Sequence, residues 1–162
     1  MPISQHNLVA EFERNWAVAR GLTFDLLEGV TAEQLAFSPH EAFGTLGHQL
    51  WHCGHVQEAY RLGLVSGEMA FSVLPPAPEL EADPDALSAF LEERDAELEA
   101  TLRAVRDYTA TVDWGLDDEN PEVRDHLIWL LQHETLHHGQ WSLYVALGGF
   151  ELPRSWQDAW GL

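Results

Sequence analysis

The most constraining feature of this 162-residue chain is one unbroken stretch of helical periodicity in its last third. Asn120-Pro121 supplies a helix start, with Asn as N-cap and Pro at the first helical position, and the pattern extends to about Leu147 before Gly148-Gly149 stops it. Positions 126, 130, 133, 137, 140, 141 and 144 share one face, which turns His126, His133 and His137 inward with Leu130, Trp141 and Tyr144. Within it, His133-Glu134-Thr135-Leu136-His137-His138-Gly139-Gln140 sets His133 and His137 one turn apart on that face, the geometry of a bidentate metal clamp. His126 lies about 10 Å along the axis from His133 and cannot reach the same ion. His138 is turned about 100° from His137, which predicts a rim or surface position.

Three further helical patterns precede this one, and strand alternation is nearly absent. The first runs from about Ser4, an N-cap, to about Glu28, with Leu8, Phe12, Trp16, Ala19, Thr23 and Leu26/Leu27 as its stripe and Gly29 as its stop. Thr31-Ala32-Glu33-Gln34 has capping-box spacing and predicts a short helical turn before Ser38-Pro39. The second long helix starts near Thr45 and continues through Leu50, His52, Val56, Tyr60 and Leu64 to Gly67. The three prolines of Phe71-Ser72-Val73-Leu74-Pro75-Pro76-Ala77-Pro78 forbid a continuous helix, so a long connection follows, of the kind that crosses a bundle end or covers a site. Asp83-Pro84 starts the third helix, which runs to about Asp107, burying Leu87, Phe90/Leu91, Leu98, Leu102 and Val105 and leaving Glu92, Glu93, Glu97 and Glu99 in solvent. Trp156 and Trp160, spaced by four, predict a short amphipathic turn that packs back onto the rest. The expectation is an all-α fold, a four-helix bundle with one long crossover connection, with residues 1–162 as a single domain. Such bundles build metal sites between facing helices.

Composition narrows the partners. Twenty-seven acidic residues face eight basic ones, all arginine, for a formal charge of -19. Nucleic acid is excluded on this reading, because neutralising phosphates needs clustered Lys or Arg, and an anionic membrane is disfavoured by the same repulsion. Cys53 is the only cysteine, so neither an internal disulfide nor a cysteine-based zinc cluster can form. Any metal must therefore be held by histidines and carboxylates; Cys53 reads as a small buried filler. Neither a signal peptide nor a run of about 18 apolar residues is present, which points to the cytoplasm. The partners expected are a small-molecule substrate and, as the bundle allows, a second copy of the chain.

A third ligand for the clamp has three candidates on the second helix. His48 and His52 are one turn apart and His55 lies on nearly the same face; His52 is the most central within the apolar pattern, but spacing alone does not choose among them. Three neutral imidazoles leave an ion its full charge and an open position, which suits Zn, Ni or Fe as the divalent metal. Such an ion lowers the pKa of bound water or of an incoming thiol. Tyr144 is read as core, and Gln140, one turn beyond His137, as a residue that orients a ligand water.

The chain resembles the DinB-like metal-binding four-helix bundles that include the YfiT and BstA type thiol transferases. The resemblance covers nearly the whole chain and is carried by Gly44-Thr45-Leu46-Gly47-His48-Gln49-Leu50-Trp51-His52 and by His133-Glu134-Thr135-Leu136-His137-His138-Gly139-Gln140. In that family a small hydroxyl residue opens the second helix and a ligand follows seven positions later, so the resemblance implies His52 as the third ligand beside His133 and His137. It also implies a metal-dependent S-transferase acting on a low-molecular-weight thiol, such as bacillithiol or mycothiol, and an electrophile. Glu134 is then the candidate catalytic base or outer hydrogen-bond partner, with a surface role as its alternative. The competing class is a non-catalytic metal-binding module.

The same octapeptide satisfies the H-E-x-x-H pattern of zinc proteases, in which the glutamate activates water. The metzincin extension fails at Gln140 and Leu143, and the only downstream glutamate, Glu151, lies beyond the helix stop. Sulfoxide synthases with similar bundles carry a Glu where this chain has Gly139, so oxygen chemistry is disfavoured.

Overall fold

Local chemistry fixes most of the helix ends. The computed structural model describes residues 5–116 and 119–162, so the expected Ser4 cap lies outside the described residues. Helix α1 spans Gln5–Gly29 and α2 Ala32–Leu35, the latter closed by a reciprocal capping box between Thr31 and Gln34. A single 3-10 turn over Glu41–Phe43 precedes α3, Leu46–Ser66, whose first turn is capped by the Thr45 hydroxyl and whose last residue is followed by Gly67 at φ 79°. After a short α4, Pro78–Glu81, helix α5 (Pro84–Ala104) begins where Asp83 accepts from the amides of Asp85 and Ala86. Helix α6 covers Val123–Gly148 and α7 covers Arg154–Trp160. Among the described residues there is no strand, only two isolated bridges.

Two expected ends move. Val105 turns extended, so α5 stops three residues before Asp107, and the chain swings back to bury Tyr108, whose hydroxyl donates to the Leu102 carbonyl. The Asn120-Pro121 start is displaced to Val123. Asn120 spends its side-chain oxygen on the Trp114 amide, and the Pro121 carbonyl accepts from Val112 across the bridge between Thr111 and Glu122. A loop partner outcompetes the cap. On α5, Glu92, Glu93 and Glu99 are exposed as expected, but Glu97 is partly withdrawn and pairs with buried Arg94 and with Arg61.

The four long helices close a ring in which α1 and α3 are each flanked by α5 and α6. Two apolar clusters fill it, one holding Leu22, Leu50, Leu91 and Trp141, the other Trp16, Val56, Leu98 and Leu130. Reading these residues in chain order shows that α1 and α6 run from the second cluster to the first while α3 and α5 run the opposite way. The connection from Gly67 to Asp83 must therefore travel the length of the bundle, which makes it the long crossover. It lies on α3, where His55 Nε2 donates to the Phe71 carbonyl. Close approach of the helices rests on glycine: a Cβ on Gly54 would sit 2.2 Å from the Phe90 ring, and one on Gly47 only 1.9 Å from the Glu81 carbonyl oxygen.

Between the two clusters every long helix contributes a polar residue at the same level. Arg20 lies between Trp16 and Leu22, His52 between Leu50 and Val56, Asp95 between Leu91 and Leu98, and His133, Glu134 and His137 between Leu130 and Trp141. The bundle thus carries a polar layer across its middle. No helix of the described residues is long and apolar enough to cross a membrane.

Candidate metal centre

Helix periodicity presents His133 and His137 to α3, and the α3–α6 packing brings His52 against them. The Nε2 atoms of His133 and His52 are 3.3 Å apart, those of His137 and His133 are 3.2 Å apart, and one ligand atom from each of the three rings lies within 4.8 Å of the others. An ion bound at ~2.0–2.1 Å by tetrahedral imidazoles holds their nitrogens ~3.3–3.4 Å apart, so the triad has the dimensions such an ion requires. Neither His133 nor His137 has a protein partner for its buried Nδ1, so among the described residues the two rings meet their neighbours through Nε2. The cluster can hold a metal ion.

Electrostatics favours the neutral, ligating form of each ring. Burial lowers the pKa of His133 to about 3, with His137, His52 and Arg20 adding to the effect. Burial likewise lowers His137 to about 4, assisted by His52 and His138, and lowers His52, assisted by His55 and His48. A lone pair, not a proton, is therefore what each ring offers near neutral pH.

The triad opens to solvent on one side. His52 and His137 line an open cleft of about 590 Å³ together with Gly44, His48, Gln49 and Gln140, and the 3-10 turn at Glu41–Phe43 forms its rim. Tyr144 fixes that rim by donating to the carbonyls of Phe43 and Gly44, and Gln49 donates to the Phe43 carbonyl as well. His48 and His55 do not join the triad. His48 Nδ1 is 3.2 Å from Glu81, and His55 is held by the Phe71 carbonyl, the two rings packing on either side of Trp51.

Behind the triad stands a buried network that sequence reasoning did not assemble. Glu134 is 1% exposed, which overturns its surface alternative. It accepts from the Thr23 hydroxyl at 2.5 Å and lies 3.3 Å from the Arg20 guanidinium. Arg20 donates to Gln57 at 2.6 Å, lies 3.3 Å from Asp95 and covers the Trp16 ring. Asp95 accepts in turn from Gln57 and from Trp16 Nε1. The rim position expected for His138 is also wrong. Its ring is buried against Trp141, Trp156 and Trp160 and donates from Nε2 to Thr23, because α7 folds back and Trp156 anchors to the Leu22 carbonyl at 2.7 Å. One signal was available: Thr23 is a hydroxyl inside an otherwise apolar stripe of α1. Nothing comparable marks Arg20, Gln57 or Asp95, which look like ordinary surface residues until three helices converge.

His126 is buried and separate from the triad, with Nδ1 accepting from Trp114 Nε1 and Nε2 donating to the Tyr60 carbonyl. Cys53 is buried as a filler, and burial, with Glu134 nearby, pushes its thiol well above the ordinary range.

Compared with known families, residues 12–141 match the model of the DinB superfamily. No curated protein matches the chain.

Proposed function

Because the chain belongs to the DinB superfamily, we propose that it is a metal-dependent S-transferase in which His52, His133 and His137 hold a divalent ion, zinc, nickel or iron. The observation that carries this reading is the convergence of three neutral imidazoles at ligand spacing beside an open cleft. When bound, such an ion supplies a Lewis-acid centre that makes the thiolate of a low-molecular-weight thiol available near neutral pH. The thiol loses its proton to solvent, its sulfur forms a bond to an electrophilic carbon, and the leaving group departs with its electron pair.

The chain's own residues do the rest. His52 and His137 face the cleft and present their lone pairs to it, while His133 closes the back of the triad. Gln140 and His48 stand at the wall where a polar thiol would lie. Glu134 acts as a positioning residue on this reading and not as the base, since its carboxylate is committed to Thr23 and Arg20 on the α1 side. By fixing the α6 backbone between the two ligands, it holds the ring spacing. An open cleft of about 590 Å³ suits a small molecule, and the cytoplasm is the proposed setting.

Metal content after purification or reconstitution tests the centre. About one ion per chain is expected in the wild type and a loss of at least tenfold in affinity in His52→Ala; a wild type that takes up no divalent ion overturns the centre and the activity together. Conjugation of bacillithiol, mycothiol and glutathione to a panel of electrophiles then tests the chemistry. A metal-loaded protein without rate above background on any pair would leave a binding module in place of an enzyme.

A further inference from the structure

Among the described residues, the solvent face of α6 differs from those of α1 and α5. Beyond Leu127 its exposed residues, among them Ile128, Gln132, Leu136, Gly139, Leu143 and Leu147, fall within an arc of about 100° and extend about 30 Å along the axis. None carries a charge, although the chain carries -19. The solvent face of α1 holds Glu11, Arg14 and Glu28, and that of α5 holds Glu92, Glu93 and Glu99. Along α6, Leu136, Leu143 and Leu147 are 60%, 61% and 68% exposed. Trp160 and Leu162 border the same face across Thr135 and Ser142 and widen it.

We propose that this face joins two copies of the chain, α6 against α6, about a two-fold axis near Gly139 and Gln140. Charge selects the occupant. Two chains of -19 repel wherever acids face each other; α1 and α5 expose acids, α3 fully exposes only Val65 and Ser66 at its end, and α6 beyond Leu127 offers a long exposed face without an acid. An anionic lipid surface offers no such relief. The spacing is also self-complementary. An antiparallel approach about that axis sets Leu136 opposite Leu143 of the other copy and Gln132 opposite its Leu147, each contact occurring twice. Gly139 at the axis permits close approach of the backbones, and nothing in its own chain occupies the space where a side chain would go. With Trp160 and Leu162 the face offers on the order of 600 Å² per copy, the lower edge of what stable dimers bury. His133 and His137 are turned about 90° and 130° from the centre of the arc, so the cleft of each copy stays open.

Sedimentation at about 50 μM tests this directly. The wild type is expected at about twice the 18.3 kDa of one chain, and Leu143→Glu at the single-chain mass with helicity and metal content unchanged. A wild type of single-chain mass, or a dimer that survives Leu143→Glu, overturns the proposal; single-chain mass with binding to neutral lipid vesicles would assign the face to a membrane instead. Gly139→Cys decides the matter independently should the glutamate variant misfold. Diamide is expected to join two such chains by one disulfide while leaving buried Cys53 untouched, and Ala100→Cys on α5 is the control. No cross-link at Gly139, or one at Ala100 alone, also overturns it.

Discussion

At the scale of single residues, the clamp and its support differ in how they can be read. His133 and His137 declare themselves through a spacing of four on a helix, because one turn of α-helix is a fixed distance. Glu134 and His138, their direct neighbours, do not. Both side chains point toward α1, and only the arrival of Arg20, Thr23 and Trp156 turns that direction into an interior. Arg20 is the residue on which this interior depends, since it is 2% exposed and faces both Glu134 and Asp95. Replacing it with Met keeps the volume and leaves a carboxylate buried without its counter-charge, which costs about 3–5 kcal/mol. Urea denaturation of the metal-free protein checks this; a loss below about 1 kcal/mol would show that the network is not held by Arg20. Thr23→Val, which removes the hydroxyl that Glu134 and His138 share while leaving Glu134 its Arg20 contact, is expected to cost about 1–3 kcal/mol in the same assay.

At the scale of the elements, the caps written in the sequence hold where the capping residue has no better partner. Thr31, Thr45 and Asp83 cap as their spacing predicts, whereas Asn120 is diverted to Trp114 and α6 begins later. Glycines separate by the same logic, since helix propensity disfavours all of them but only some have a neighbour that requires them. Gly21 on α1 has open space where a Cβ would stand, and Gly21→Ala is expected to raise stability by about 0.5–1 kcal/mol. Gly47 faces the Glu81 backbone at 1.9 Å, so Gly47→Ala must push α3 from α4 and is expected to lower stability by about 1–3 kcal/mol despite the same gain in propensity. Parallel thermal melts of the two variants check the pair, and a stabilised Gly47→Ala would contradict the packing described for the start of α3.

At the scale of the whole molecule, the polar layer couples stability to pH. Burial lowers His133 to about 3 and His137 and His138 to about 4, and also lowers His52 and His126 from the ordinary value of 6.5. A pKa lower in the folded state means that the unfolded chain takes up protons first. The stability these rings contribute is therefore fully present above about pH 6.5 and is lost as pH falls toward 4 and 3. The urea midpoint of the metal-free protein, measured in about 0.5 M salt to screen the 27 acidic residues, is expected to hold at pH 7–8 and to fall steadily below 6.5. A midpoint that is flat from pH 7.5 to 5 would contradict the burial of neutral rings. Of this molecule the sequence by itself determined the four long helices to within a few residues at their ends, the all-α class, the long proline-bearing connection and the one-turn spacing of His133 and His137, because each rests on periodicity or capping within one segment. The family resemblance carried by Thr45 and His52 names the third histidine, and the structure brings that residue, not His48 or His55, against the clamp. Only the tertiary structure decided that Glu134 and His138 are interior, and that Arg20, Gln57 and Asp95 form the layer behind them. Those outcomes depend on the rotation of one helix against another and on what covers each face, and neither is encoded in the spacing of residues along a single helix.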